Sequence, residues 1–223
     1  MKSTLFTLFA LAGSALALPQ ISTEPTGQPN PRDVQFDASK MIIFGDGCPT
    51  GSVKFAASTD KTKIQLIFEK FFALSGPGKG PEDWRKACTL SVPLVIPQGL
   101  SYSIVSSIYR GSGHLEKGQT GKCSTTYWFT GERGRQVRTS VSIPTGPKDE
   151  DYDFYWDKVD ESDVVAWSPC GQTSSILNMM TDLNLLGNRN KPGRITIDAQ
   201  DLASDTQYSQ EIHIQWRNCP KNY

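Results

Sequence analysis

Tyr208-Ser209-Gln210-Glu211-Ile212-His213-Ile214-Gln215-Trp216-Arg217 alternates without a break. Tyr208, Gln210, Ile212, Ile214 and Trp216 fall on one side, and Ser209, Glu211, His213, Gln215 and Arg217 on the other. Successive side chains of a strand point to opposite faces, so this run predicts a strand with one wall in the core and one in water. The same period recurs upstream: Val53, Phe55, Ala57; Ile64, Leu66, Phe68; Cys123, Thr125, Tyr127, Phe129; Val137, Thr139, Val141, Ile143; Ile195, Ile197. Leu90 to Tyr109 is strand-rich, interrupted at Pro93 and at Pro97-Gln98-Gly99. Ser174 to Leu186 reads as a strand through Leu177, Met179, Thr181, Leu183 and Leu185, with a helix as the competing reading. Turn signals at Gly76–Pro81, Gly111–Gly113, Gly118–Gly121, Gly131–Gly134 and Pro144–Pro147 separate the runs. Helix is confined to a turn near Pro81–Lys86. The pattern predicts an all-β chain: an antiparallel β-sandwich, jelly-roll-like, of about ten strands.

The chain has 223 residues, 37% of them hydrophobic, with 19 glycines, the composition of an ordinary globular core. The first residues place Lys2 before an apolar run from Leu5 to Leu16 and an Ala15-Leu16-Ala17 site. This order describes a secretory signal peptide over residues 1–17 and an extracellular destination. Residues 18–40 are rich in proline and poor in large apolar side chains, which predicts a flexible tail ahead of one sandwich domain over residues 41–223. Twenty-three basic residues balance 23 acidic ones, so no global charge points to nucleic acid or to an anionic membrane. Export makes the five cysteines candidates for disulfides. Gly45-Asp46-Gly47-Cys48-Pro49-Thr50-Gly51-Ser52 sets Cys48 in a tight turn, and Cys170 and Cys219 sit in similar corners. Cys48, Cys88, Cys170 and Cys219 are expected to bridge, in a pairing left open, and Cys123, inside an alternating run, to remain free.

The catalytic inventory is thin, with no Gly-x-Ser-x-Gly and no His-Glu-x-x-His. His114 and His213 read as solvated polar residues, and no cofactor is expected. The unusual stretch is 149–163, with eight carboxylates, one lysine and a run of aromatics. It is read as an outer loop that grips a partner, with Asp151, Tyr152, Asp153, Phe154, Tyr155, Trp156 and Asp157 as the contact and Tyr155 and Trp156 as anchors. A weaker reading is a calcium loop using Asp149, Asp151, Asp153, Asp157 and Asp160, although Phe154 stands where such a loop needs glycine. Lys117, Lys122, Arg133, Arg135 and Arg138 form a basic group that suits an acidic polysaccharide or a plain hydrophilic face. A cell-wall or carbohydrate-binding module is the second functional reading, and a hydrolase the third.

Gly47-Cys48-Pro49-x-Gly51-Ser52, Cys88, Pro97-x-Gly99, Tyr109-Arg110-Gly111, Trp167-Ser168-Pro169-Cys170-Gly171 and Trp216-Arg217-x-Cys219 together resemble a family of secreted fungal proteins catalogued as a domain of unknown function. The resemblance runs from about Met41 to Cys219 and implies secretion, a cysteine-stapled β fold and no established enzyme activity. It further implies a virulence effector in the host apoplast or fungal cell wall. Its partner would be an extracellular plant protein, a leucine-rich-repeat polygalacturonase inhibitor.

Overall fold

A computed structural model describes residues 28–131, 135–143, 152–161, 166–198 and 209–220. The expected signal peptide, residues 18–27 of the tail, the Pro144–Pro147 turn and Tyr208 lie outside these residues.

The alternating runs become β1 (Gln35–Phe36), β2 (Ile42–Phe44), β3 (Val53–Ala57), β4 (Lys63–Phe68), β5 (Phe72–Ser75), β6 (Arg85–Val95), β7 (Leu100–Leu115), β8 (Gln119–Phe129), β9 (Gln136–Ile143), β10 (Tyr152–Glu161), β11 (Ser174–Gly187), β12 (Gly193–Thr196) and β13 (Gln210–Asn218). The short helix α1 spans Pro81–Trp84, inside its expected window. All pairings are antiparallel. A six-stranded sheet runs β1-β6-β11-β8-β9, with β2 also on β6, and a seven-stranded sheet runs β3-β4-β13-β7-β12-β5, with β10 also on β7. β12 and β13 lie end to end along one edge of β7, and β10 holds the other edge. The two sheets pack as a sandwich over Leu90, Val92, Tyr127, Phe129, Leu177 and Met179 on one side and Ile64, Leu66, Tyr102, Ile104, Ile195 and Ile212 on the other.

Ser174–Leu186, ambiguous in sequence, is β11, the strand paired on both edges at the middle of the six-stranded sheet. Two expectations are corrected. Gly111–Gly113 is not a turn but the interior of β7, where its two glycines face the rings of β10. The stretch expected to be tail up to residue 40 is already structured. Val34 is buried, and Phe36 pairs with Leu94 and packs on the core.

Two disulfides resolve the open pairing. Cys48–Cys88 ties the glycine-rich turn to β6, and Cys170–Cys219 joins the segment before β11 to the end of β13, so it links the two sheets. Their Cα–Cα distances are 5.3 and 5.9 Å. Cys123 is free and buried.

The interior is not wholly apolar. Gln210 reaches inward from β13, and its Nε2 donates to Thr125 Oγ1 at 3.1 Å and to Tyr127 Oη at 3.0 Å. Thr181 Oγ1 donates to Gln210 Oε1 at 3.2 Å. Thr125 bonds Thr181 at 2.9 Å, Ser107 bonds Tyr127 at 2.5 Å, and Tyr109 bonds Thr139 at 2.5 Å. Burial pushes the Tyr109 and Tyr127 phenols and the Cys123 thiol above their ordinary ranges, so the seam is uncharged at neutral pH. Buried polar groups are tolerable only when satisfied, and this seam satisfies them across both sheets.

The outer wall of β13 departs from simple alternation. Ser209 and Glu211 are buried, and the register shifts between His213 and Ile214. Glu211 is 3% exposed and is held by Gln65 Nε2 (2.8 Å), His213 Nε2 (2.8 Å) and Lys63 Nζ (3.2 Å). Burial alone would raise the Glu211 carboxyl, but bonds from Gln65, His213 and Lys63 outweigh it and hold the group below its ordinary value of 4.5.

Gln210→Leu removes the hub of the seam and strands its partners, and is expected to cost about 1–3 kcal/mol in urea unfolding. A carboxyl depressed in the folded state stabilises above its unfolded pKa and loses that contribution as pH falls through the folded value. The stability gap between the native protein and Glu211→Gln is therefore expected to be full above about pH 4.5 and to close on acidification below it, read from thermal melts across pH.

Candidate functional site

The acidic-aromatic stretch is not a loop. It is β10, and its alternation decides which groups can meet a ligand. Phe154 pairs with Gly113 and Trp156 with Gly111, and both rings are buried at 6% and 4% exposure. A Cβ on Gly111 would stand 2.0 Å from the Thr196 carbonyl oxygen and 2.8 Å from the Trp156 ring. A Cβ on Gly113 would stand 2.6 Å from the Phe154 ring. Each glycine leaves the space that the facing ring fills, which is why the Gly-Ser-Gly run belongs in a strand. Trp156 Nε1 also donates to the Ser112 carbonyl at 3.3 Å.

With Phe154 and Trp156 inward, Asp153, Tyr155, Asp157 and Val159 face out. Tyr155 is 64% exposed. Asp153 Oδ1 lies 2.9 Å from His114 Nδ1, and Asp157 Oδ2 accepts from Arg110 Nε at 2.7 Å. Asp160 accepts from the Ser140 backbone N–H and so covers part of the edge of β9. Of the expected contact residues, Tyr155, Asp153 and Asp157 are thus presented to solvent together. Trp156, expected as an anchor, and Phe154 are committed to the core. Tyr152 opens the strand, and Asp149 and Asp151 lie outside the described residues.

The calcium loop is corrected by the same geometry. An extended strand separates Asp153 from Asp160 by roughly 23 Å, and alternation sends Asp153 and Asp157 to one face and Asp160 to the other. The carboxylates that the structure describes cannot close on one ion. The basic group is elsewhere: Lys122 and Arg138 project from the outer face of the six-stranded sheet, where Arg138 bonds Ser124 at 3.1 Å. Arg133 lies outside the described residues.

Beside Tyr155 the outer face of the seven-stranded sheet holds a recess of about 280 Å³, lined by Ser112, Gly113, His114, Asp153, Phe154, Tyr155 and Arg194. Three neighbouring strands build it, β10, β7 and β12, with Asp153, His114 and Arg194 in one cross-strand row. Asp153, Phe154 and Tyr155 are among the residues expected from sequence, whereas Ser112, His114 and Arg194 join them only in the fold. Residue 194 is about 40 positions away from the acidic stretch, and only strand pairing brings it in. Chemically the recess offers one exposed aromatic face, an imidazole–carboxylate pair, a guanidinium and a hydroxyl. Such a set can stack against a ring and hydrogen-bond its polar edge.

Residues 35–219 match the domain of unknown function DUF4360. An uncharacterized secreted protein of Arthroderma benhamiae is 36% identical over 176 residues, covering 78% of this chain and 68% of that protein. Among solved structures, the carbohydrate-binding module TmCBM61 in complex with β-1,4-galactotriose aligns over 81% of this chain and 90% of its own, at 13% identity and a TM-score of 0.28. That likeness is too slight to transfer a ligand. Among the described residues no helix is long and apolar enough to cross a membrane. The protein is a secreted one, and its chain belongs to the DUF4360 family.

Proposed function

We propose that this secreted protein is a non-catalytic binding module that holds a neutral saccharide of an extracellular polysaccharide in the recess beside Tyr155. The observation that carries the reading is the exposed Tyr155 ring at the wall of a 280 Å³ recess set with His114, Asp153, Ser112 and Arg194. A sugar ring needs an apolar face to lie on and fixed donors and acceptors around its rim. Asp153 and Asp157 are already oriented by His114 and Arg110, so binding orders little further. The rigid sheet beneath serves the same end.

A second reading keeps an extracellular host protein as partner, such as the polygalacturonase-inhibiting protein that the family resemblance implies. It is favoured by the outward row of β10, where Asp153, Asp157 and Glu161 flank the exposed Tyr155 and Val159. An acidic strip with apolar side chains between its charges suits a basic partner. It ranks second because two aromatics that would anchor such a contact, Phe154 and Trp156, are buried.

A glycan array probed with the purified protein is expected to give a saturable hit. Tyr155→Ala should weaken that hit at least tenfold, about 1.4 kcal/mol, with an unchanged melting temperature. Trp156→Ala should instead destabilise the fold by about 3–5 kcal/mol in urea unfolding. An empty array, together with capture of a plant apoplastic protein that Asp157→Lys abolishes, would replace the saccharide reading by the second one.

A further inference from the structure

The recess is not isolated on its sheet. Tyr155 pairs with Ser112 on β7, and the Ser112 hydroxyl bonds Thr196 Oγ1 at 2.9 Å. Thr196 on β12 pairs in turn with Phe72 on β5. Tyr155, Ser112, Thr196 and Phe72 therefore form one cross-strand row, with an aromatic ring at each end and the half-buried Ser112 and buried Thr196 between them. Phe72 is 36% exposed, and its ring faces outward because Ala73 and Ile195 beside it are buried. Three inter-strand gaps separate the rings by about 14 Å, room for about three pyranose residues laid across the strands.

The neighbouring row, Asp153, His114, Arg194 and Leu74, runs beside it. The Arg194 guanidinium lies over Phe72, 5.7 Å from the ring centroid, and makes no ion pair among the described residues. Its fork of donors is thus set between the recess and Phe72. Asp198 accepts from the Ser112 hydroxyl at 3.4 Å, so an acceptor carboxylate stands beside this row. A surface with one donor fork, carboxylates at Asp153 and Asp198 and no net positive charge suits hydroxyls rather than uronate groups.

We infer that the ligand is a neutral oligosaccharide segment of about three residues lying across β10, β7, β12 and β5, with Tyr155 and Phe72 as its two stacking platforms. This rests on the saccharide reading of the recess.

The test is calorimetric titration of the full mature protein with cello-, laminari-, xylo-, chito- and galacturono-oligosaccharides of one to six residues. Affinity for one neutral series is expected to rise at least tenfold from one residue to three and then level off. Phe72→Ala should remove most of that rise while leaving the single sugar's affinity in place, and Phe72→Trp should retain it. Tyr155→Ala should weaken every length. Affinity independent of length, a rise that survives Phe72→Ala in a folded variant, or preference for the galacturonate series would each overturn the inference while leaving a saccharide site at Tyr155. No binding in any series would remove the saccharide reading itself, and this inference with it.

Discussion

The site depends on a steric fit between two strands. Phe154 and Trp156 of β10 occupy the space left by Gly113 and Gly111 of β7. That fit fixes the register. Because strand side chains alternate with period two, a slip by one residue would turn both rings outward and bury Asp153, Tyr155 and Asp157. Two buried charges and a displaced aromatic pair make that alternative costly. The exposed tyrosine, the His114–Asp153 pair and the Arg110–Asp157 pair are all consequences of the same register. The acidic character of β10 then acts a second time. An edge strand offers unpaired backbone groups, and outward carboxylates discourage another strand from docking there.

The polar seam centred on Gln210 does for the sheets what the aromatic–glycine fit does for β10. Apolar packing is non-directional, and two greasy sheets can slide with little penalty. Thr125, Thr181, Tyr127 and Gln210 are satisfied only when β8, β11 and β13 stand in one relative position. The Cys170–Cys219 bridge holds the same two sheets together at one end. Covalent and hydrogen-bonded constraints thus agree, and the outer face of the seven-stranded sheet is carried on a stiff support.

Much of this is legible in the sequence. Period-two alternation in the runs at Ile64, Cys123, Val137 and Gln210 marked strands that the structure keeps, and it is local information. The free state of Cys123 followed from its place inside such a run. What failed was non-local. Gly111-Ser112-Gly113 looks like a turn because glycine is permissive, and only the facing rings of β10 explain it as a strand. Trp156 looked like a surface anchor because composition carries no inside or outside for a stretch where nearly every residue is charged or aromatic. Arg194 and Phe72 could not be joined to Tyr155 from spacing, since two strand pairings stand between Tyr155 and Arg194 and three between Tyr155 and Phe72. Ser209 and Glu211 break the outer wall of β13 because buried hydrogen bonding, here from Gln65 and His213, can override a pattern.

β13, the last strand in chain order among the described residues, lies between β4 and β7 near the centre of its sheet. That placement governs how the molecule comes into being. β4 is separated from its neighbour by some 145 residues of chain, a long loop to close before any reward arrives. Until β13 docks, β4 and β7 share no neighbour, and the hydroxyls that bond Gln210 lack their partner. The Gln210 seam is complete only once β13 lies between β4 and β7, and the same docking brings Cys219 beside Cys170.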